Sequence, residues 1–154
     1  MTEKILAFQA LTPAQTRELA DQDVTVVPAS EWQSATEISI IFGWSRQHGL
    51  AVLQNPANQV KWIQTVSAGI DYLPLDWIRE HHIQVTNASG AYSGAIAEST
   101  LGYLLYFLRG FNEAVKNQAG HFWQQPARSD LDVLANQKVV IYGTGSIGQA
   151  IANL

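Results

Sequence analysis

A chain of 154 residues that is 47% apolar, 14% charged and 10% aromatic has enough apolar side chain to bury a core and too little charge for a disordered segment. A net charge of −4 with no basic run argues against a nucleic-acid partner, and the absence of cysteine excludes disulfides and thiolate chemistry. No stretch reaches the roughly 18 uncharged apolar residues of a membrane span, and the first residues lack a secretion-signal pattern, so no membrane partner and a cytoplasmic location are expected.

In chain order, residues 4–8 read as a first strand. Thr12 and Pro13 open a helix, with the threonine as N-cap and the proline at the first helical position. Residues 23–27 form a second strand ended by Pro28, and residues 30–36 a short polar turn. A third strand, 38–42, runs into Gly43, Trp44, Ser45 and Arg46, and a helix over 47–55 is broken by Pro56. A fourth strand, 61–66, ends in Ser67, Ala68, Gly69, Ile70 and Asp71; Pro74 introduces a helix over 75–82, and residues 83–86 make a fifth strand. Short apolar strands alternating with helices predict an α/β fold with a parallel sheet covered on both faces. Ligands of such sheets sit beyond the carboxyl ends of the strands. The segments after strands three, four and five should therefore share one edge.

Residues 95–119 contain no proline and predict a single helix, roughly 36 Å long at ~1.5 Å per residue. Leu101, Leu104, Leu105, Leu108, Phe111 and Val115 form an apolar stripe, and Tyr103, Tyr106 and Phe107 extend it around the helix, which predicts burial on most sides. A connecting loop over 120–136 leads to residues 138–142, expected as a buried strand. There follow Gly143, Thr144, Gly145, Ser146, Ile147 and Gly148, and then the start of a helix. Strand, three glycines at this spacing and a helix make the phosphate-binding turn of a dinucleotide-binding unit. The first glycine permits the turn, the second admits a pyrophosphate against the backbone, and the third lets the helix pack close; the helix start offers free N–H groups. The expected organisation is a domain over residues 1–93 and a second, incomplete one over 94–154.

Three blocks in this order resemble the D-isomer-specific 2-hydroxyacid dehydrogenases: Gln64 to Asp71; Val85, Thr86 and Asn87 with Ala97, Glu98, Ser99, Thr100 and Leu101; and Val140 to Gly148. The resemblance implies a flavodoxin-like substrate domain, a long interdomain helix and the first βα unit of a Rossmann domain. It implies hydride transfer between NAD or NADP and a short 2-oxo or D-2-hydroxy acid. The substrate carboxylate would be held by backbone N–H groups of Ser67, Ala68 and Gly69, and the cofactor by residues 143–148. A homodimer would form through the helix over 95–119. The family's catalytic arginine, glutamate and histidine map beyond Leu154, so no catalytic residue is assigned and the chain alone is expected to be inactive. The acidic reader of the ribose hydroxyl also falls beyond it, leaving NAD and NADP undistinguished.

Each assignment has a plainer reading beside it. Residues 67–69 can be a strand-to-helix turn and nothing more. Trp44 is either core or the rim of the substrate pocket, and Thr100 either packing or a cofactor contact. Arg46 is a solvated surface cation or faces an anionic substrate, and Asp71 reads as structural. Adjacent His81 and His82 point away from each other on a helix and make no metal pair, so no metal is expected. No histidine is assigned to catalysis. Two rival functions carry over: a non-catalytic dinucleotide-sensing or dimerisation module of the same fold, and a different Rossmann enzyme. Because a strand at 138–142 would lack neighbours here, either dimerisation or rearrangement after Gly120 is expected.

Overall fold

The computed structural model describes residues 3–125 and 127–154, which divide into two compact units, Met1–Ser89 and Gly90–Leu154. The first holds five parallel strands, β1 (Glu3–Ala7), β2 (Val24–Pro28), β3 (Ile40–Phe42), β4 (Trp62–Gln64) and β5 (Gln84–Thr86), in the order β2-β1-β3-β4-β5. The helices between them are α1 (Pro13–Ala20), α2 (Gly49–Gln54) and α3 (Leu75–Glu80); a single 3-10 turn, Ala29–Glu31, occupies the polar stretch after β2. Pro28 ends an edge strand, where the missing N–H costs no ladder bond.

Successive residues of a strand face opposite sides, and the register sorts the core accordingly. Leu6, Ile41, Ile63 and Val85 lie side by side across four strands, and the first three are fully buried. Val52 of α2, Ile78 of α3, and Ile38, Leu73 and Ile83 complete this layer. The opposite face carries Ile5, Ile40 and Trp62 in one row, bordered by Leu11 and by Leu19 of α1. There the Trp62 indole N–H donates to Thr86 Oγ1 at 2.7 Å, and Thr86 donates to Gln64 Oε1 at 2.5 Å, so the polar atoms of this more open face satisfy one another. Thr12 caps α1 as expected: its hydroxyl accepts the Gln15 N–H at 3.3 Å and its own N–H donates to Gln15 Oε1 at 2.9 Å, a reciprocal capping box.

The second unit departs from the expected pattern in two places. The predicted 25-residue helix is two helices, α4 (Ser93–Leu108) and α5 (Phe111–Ala119). Gly110 breaks it with a φ of +68°, a left-handed conformation that glycine adopts without the Cβ penalty, while its N–H closes α4 on the Phe107 carbonyl at 3.1 Å. The all-round burial is also not observed: only Ser93 and Ala97 of α4 are buried, and Phe107 is 65% exposed. Helical periodicity records which surface is apolar, not what covers it. Residues 138–142 form no ladder with any described strand, and Val140 is 93% exposed. A strand exists only through its neighbours' hydrogen bonds, and none is adjacent here. A 3-10 turn, Arg128–Asp130, and α6 (Ser146–Ala152) complete the unit. Among the described residues no helix is long and apolar enough to cross a membrane.

Candidate functional site: a turn with free backbone donors

Parallel pairing brings the carboxyl ends of β3, β4 and β5 to one edge of the first unit. Gly43 N–H donates to the Gln64 carbonyl at 2.8 Å, and Thr65 N–H to the Thr86 carbonyl at 2.9 Å, extending the sheet by one bond on each side of β4. Beyond Thr65 the chain turns through Ser67, Ala68 and Gly69.

The hydrogen bonds of this turn are one-sided. The Ser67 carbonyl accepts from the fully buried Thr65 hydroxyl at 3.0 Å and from the Ala88 N–H at 3.1 Å. The Ala68 carbonyl accepts from the Asn87 side-chain amide at 2.7 Å, and the Gly69 carbonyl from the Ser67 hydroxyl at 2.9 Å. All three carbonyls are therefore held by the protein. Among the described residues, none of the N–H groups of Ser67, Ala68 and Gly69 is donated to any acceptor. Consecutive unpaired donors of this kind form an anion-binding concavity without a lysine. A cleft of about 360 Å³ lies alongside, lined by Ile70, Val85, Thr86 and Asn87. The Asp71 carboxylate lies 3.2 Å from where a Cβ on Gly69 would stand, so a side chain there would press on it.

Two further groups converge on the same edge. The Tyr72 hydroxyl lies 2.6 Å from Ser67 Oγ, and the Arg46 guanidinium stands over the Tyr72 ring at 5.4 Å from its centroid. Trp44 is half-buried against the hydrophobic core, its indole only 2.6 Å from where a Cβ on Gly49 would sit, so glycine at 49 is what lets the ring lie there. Sequence reasoning missed Tyr72, Thr65 and the anchoring part of Asn87. Polar residues flanking a small-residue turn were the available signal, but which of them reach back to it depends on the turn's path.

In the second unit, Gly143 has φ of +121°, a conformation that favours glycine, and a Cβ on Gly148 would stand 2.1 Å from the Gly143 carbonyl oxygen. A Cβ on Gly145, by contrast, meets nothing within 4 Å. A positive φ at the first glycine, open space at the second and a close contact at the third are the arrangement a phosphate approaching the backbone requires. Gly145 caps α6, and the Gln149 side chain donates to the Thr144 carbonyl at 2.8 Å, steadying the turn. The Thr100 hydroxyl donates back to the Ile96 carbonyl at 2.8 Å, and the residue borders an apolar cavity of about 430 Å³ with Ala97, Leu101, Leu104, Val139 and Ile151. Two of the histidines make ring contacts: His48 stacks on Trp32 at 4.3 Å and His81 on Trp77 at 4.0 Å.

A parallel α/β unit with a donor-rich turn at its strand ends, followed by a glycine-rich turn, defines a dehydrogenase-like architecture. Residues 5–151 match the family model described as D-isomer specific 2-hydroxyacid dehydrogenase, catalytic domain, and the chain belongs to that family. It is 34% identical over 103 residues to a glycerate dehydrogenase of Hyphomicrobium methylovorum, a match covering 66% of this chain and 32% of that enzyme. It is 36% identical over 92 residues to a glyoxylate reductase/hydroxypyruvate reductase of Mus musculus, covering 58% and 28%. In fold it is similar to an NAD-dependent formate dehydrogenase from Staphylococcus aureus in complex with NAD, with a TM-score of 0.71 at 18% identity, covering 98% of this chain and 52% of that one. The chain spans about half the length of that structure, and its matches take in about a third of the curated relatives.

Proposed function

We propose that the chain carries the substrate-carboxylate and cofactor-phosphate turns of an NAD(P)-dependent oxidoreductase acting on a short D-2-hydroxy or 2-oxo acid. The observation that carries the reading is the turn at Ser67, Ala68 and Gly69, whose carbonyls are all engaged by the protein while its N–H groups are not. A carboxylate is the anion that matches three small-residue donors beside a cleft of this size. Relatives named for glycerate, glyoxylate and hydroxypyruvate support the substrate class. Residues 1–93 would form the substrate domain and residues 94–154 the start of the cofactor domain.

Gly143 to Gly148 fit a dinucleotide through the open side of Gly145, and the free N–H groups at the start of α6 would face its phosphates. A nicotinamide cofactor held there would supply the hydride-transfer chemistry. The chain's own residues bind and orient: the turn holds the carboxylate, Asn87 and Thr65 hold the turn, and Ile70 and Val85 give the short carbon chain an apolar wall. Proton transfer is not assigned to this chain, and the chain alone is proposed to be inactive. Trp44 is proposed as a substrate-binding rim residue of the same edge and Thr100 as a cofactor contact. Pairing of two copies through α4 and α5 is proposed from their open apolar side chains.

The reading is tested by titrating the isotope-labelled chain with glyoxylate, pyruvate and acetate. Saturable shifts of the Ser67, Ala68 and Gly69 amides with the 2-oxo acids are expected. Shifts confined to other residues would assign the acid to another site and remove the reading.

A further inference from the structure

Tyr72 and Ser67 share a hydrogen bond that either hydroxyl is able to donate, and the neighbouring Gly69 carbonyl selects between the two directions. Ser67 has one hydroxyl hydrogen, and it is directed to the Gly69 carbonyl at 2.9 Å. At 2.6 Å from Ser67 Oγ, the Tyr72 hydroxyl must therefore be the donor, and the Ser67 oxygen the acceptor. This makes a relay, Tyr72 to Ser67 to Gly69, that ends on a carbonyl of the turn whose N–H groups are free. The ring that starts the relay is itself fixed: it packs against the hydrophobic core, and the Arg46 guanidinium covers it at 5.4 Å. The three other bonds that pin the turn's carbonyls, from Thr65, Ala88 and Asn87, do not involve Tyr72.

Resting on the carboxylate reading of this turn, we infer that Tyr72 is a positioning residue for it: by donating to Ser67 it locks the Ser67 hydroxyl onto the Gly69 carbonyl and so keeps the free N–H groups turned outward as a preformed anion site. Without the Tyr72 donor, the Gly69 carbonyl would compete with the anion for the turn. An unlocked Ser67 hydroxyl is free to rotate off Gly69, and a released Gly69 carbonyl can swing toward the anion, placing a negative oxygen where a donor is needed. Arg46 serves the same end indirectly by holding the ring, not by touching the ligand.

The test uses the full 154-residue chain and oxamate, an unreactive analogue of a 2-oxo acid, with binding read from the amide shifts of Ser67, Ala68 and Gly69. Tyr72→Phe removes one donor and leaves the ring. It is expected to weaken oxamate binding by about 2- to 12-fold, the range of one neutral hydrogen bond, with the melting midpoint unchanged. Arg46→Met keeps the hydroxyl pair and is expected to weaken binding less than Tyr72→Phe. Unchanged affinity in Tyr72→Phe overturns the positioning role. So does weakened binding that comes with a lowered melting midpoint and shifts spread through the sheet, which is the mark of a structural residue. A larger loss in Arg46→Met than in Tyr72→Phe means the cation reads the ligand itself and overturns the relay. If the unmodified chain shows no shift at residues 67–69 with oxamate, the carboxylate reading fails and the positioning role falls with it.

Discussion

At the scale of single residues, the glycines separate by what a methyl group would meet. Gly148 faces the Gly143 carbonyl oxygen, where a Cβ would stand at 2.1 Å, far inside any allowed contact. Gly148→Ala is expected to force the turn open, lower the melting midpoint of the second unit and weaken NADH binding at least tenfold by calorimetric titration. Gly102, in the exposed middle of α4, meets nothing within 4 Å. Gly102→Ala should stabilise α4 by about 0.5–1 kcal/mol through reduced chain entropy, read as a rise in denaturant midpoint. A different residue-level effect is the Lys4–Glu37 ion pair at 2.5 Å, whose hydrogen bond and charge hold the Glu37 carboxyl below its usual value of 4.5. A lowered folded value means the pair contributes fully above about pH 4.5 and is lost as pH falls through that lower value. Since Glu37 lies at the surface, the effect is small and salt-sensitive. Stability curves of the chain and of Glu37→Gln should be fully separated above about pH 4.5, should converge only as pH falls through the lowered Glu37 value, and should close together in high salt.

At the scale of elements, the first unit is held by the row Leu6, Ile41 and Ile63, which no solvent reaches. Ile63→Ala leaves a cavity in the middle of that row and is expected to cost about 2–5 kcal/mol, measured by urea unfolding. Loss of order there should carry the turn after β4 with it, because Ser67 follows Ile63 by four residues and is pinned through Thr65 to the end of its own strand and through Ala88 to the segment after β5. The break between α4 and α5 shows a second lesson of this scale. A run without proline reads as one helix, yet Gly110 ends it, because one residue in the left-handed region redirects the chain.

At the scale of the whole chain, apolar surface stands open on the second unit: Tyr103, Phe107, Phe111, Val115 and Phe122 are all more than half exposed, and Trp123 is 93% exposed. The pairing proposed for α4 and α5 rests on this surface. The chain is expected to run as a dimer in light scattering at tens of micromolar, on the order of ordinary working concentrations, and Phe107→Asp with Phe111→Asp should return it to a monomer. A monomer at all concentrations would remove the pairing proposed for α4 and α5. The same exposure holds for residues 138–142, whose backbone has no neighbour to complete a sheet.

The amino-acid order by itself determined the alternation of strands and helices, the cap at Thr12, the parallel sheet, and the two turns at residues 67–69 and 143–148. Each of these is a local property: apolar runs of strand length, small residues at fixed spacing, a threonine three residues before a glutamine. Only the tertiary structure decided which polar side chains serve the first turn. Thr65, Asn87 and Tyr72 act there because neighbouring strands end at the same edge, and that juxtaposition depends on the path of the chain between them. It also decided that the carbonyls of that turn are taken up by the protein's own donors while its N–H groups are not, since a backbone segment has no preferred side until its neighbours take up one set of its hydrogen-bonding groups.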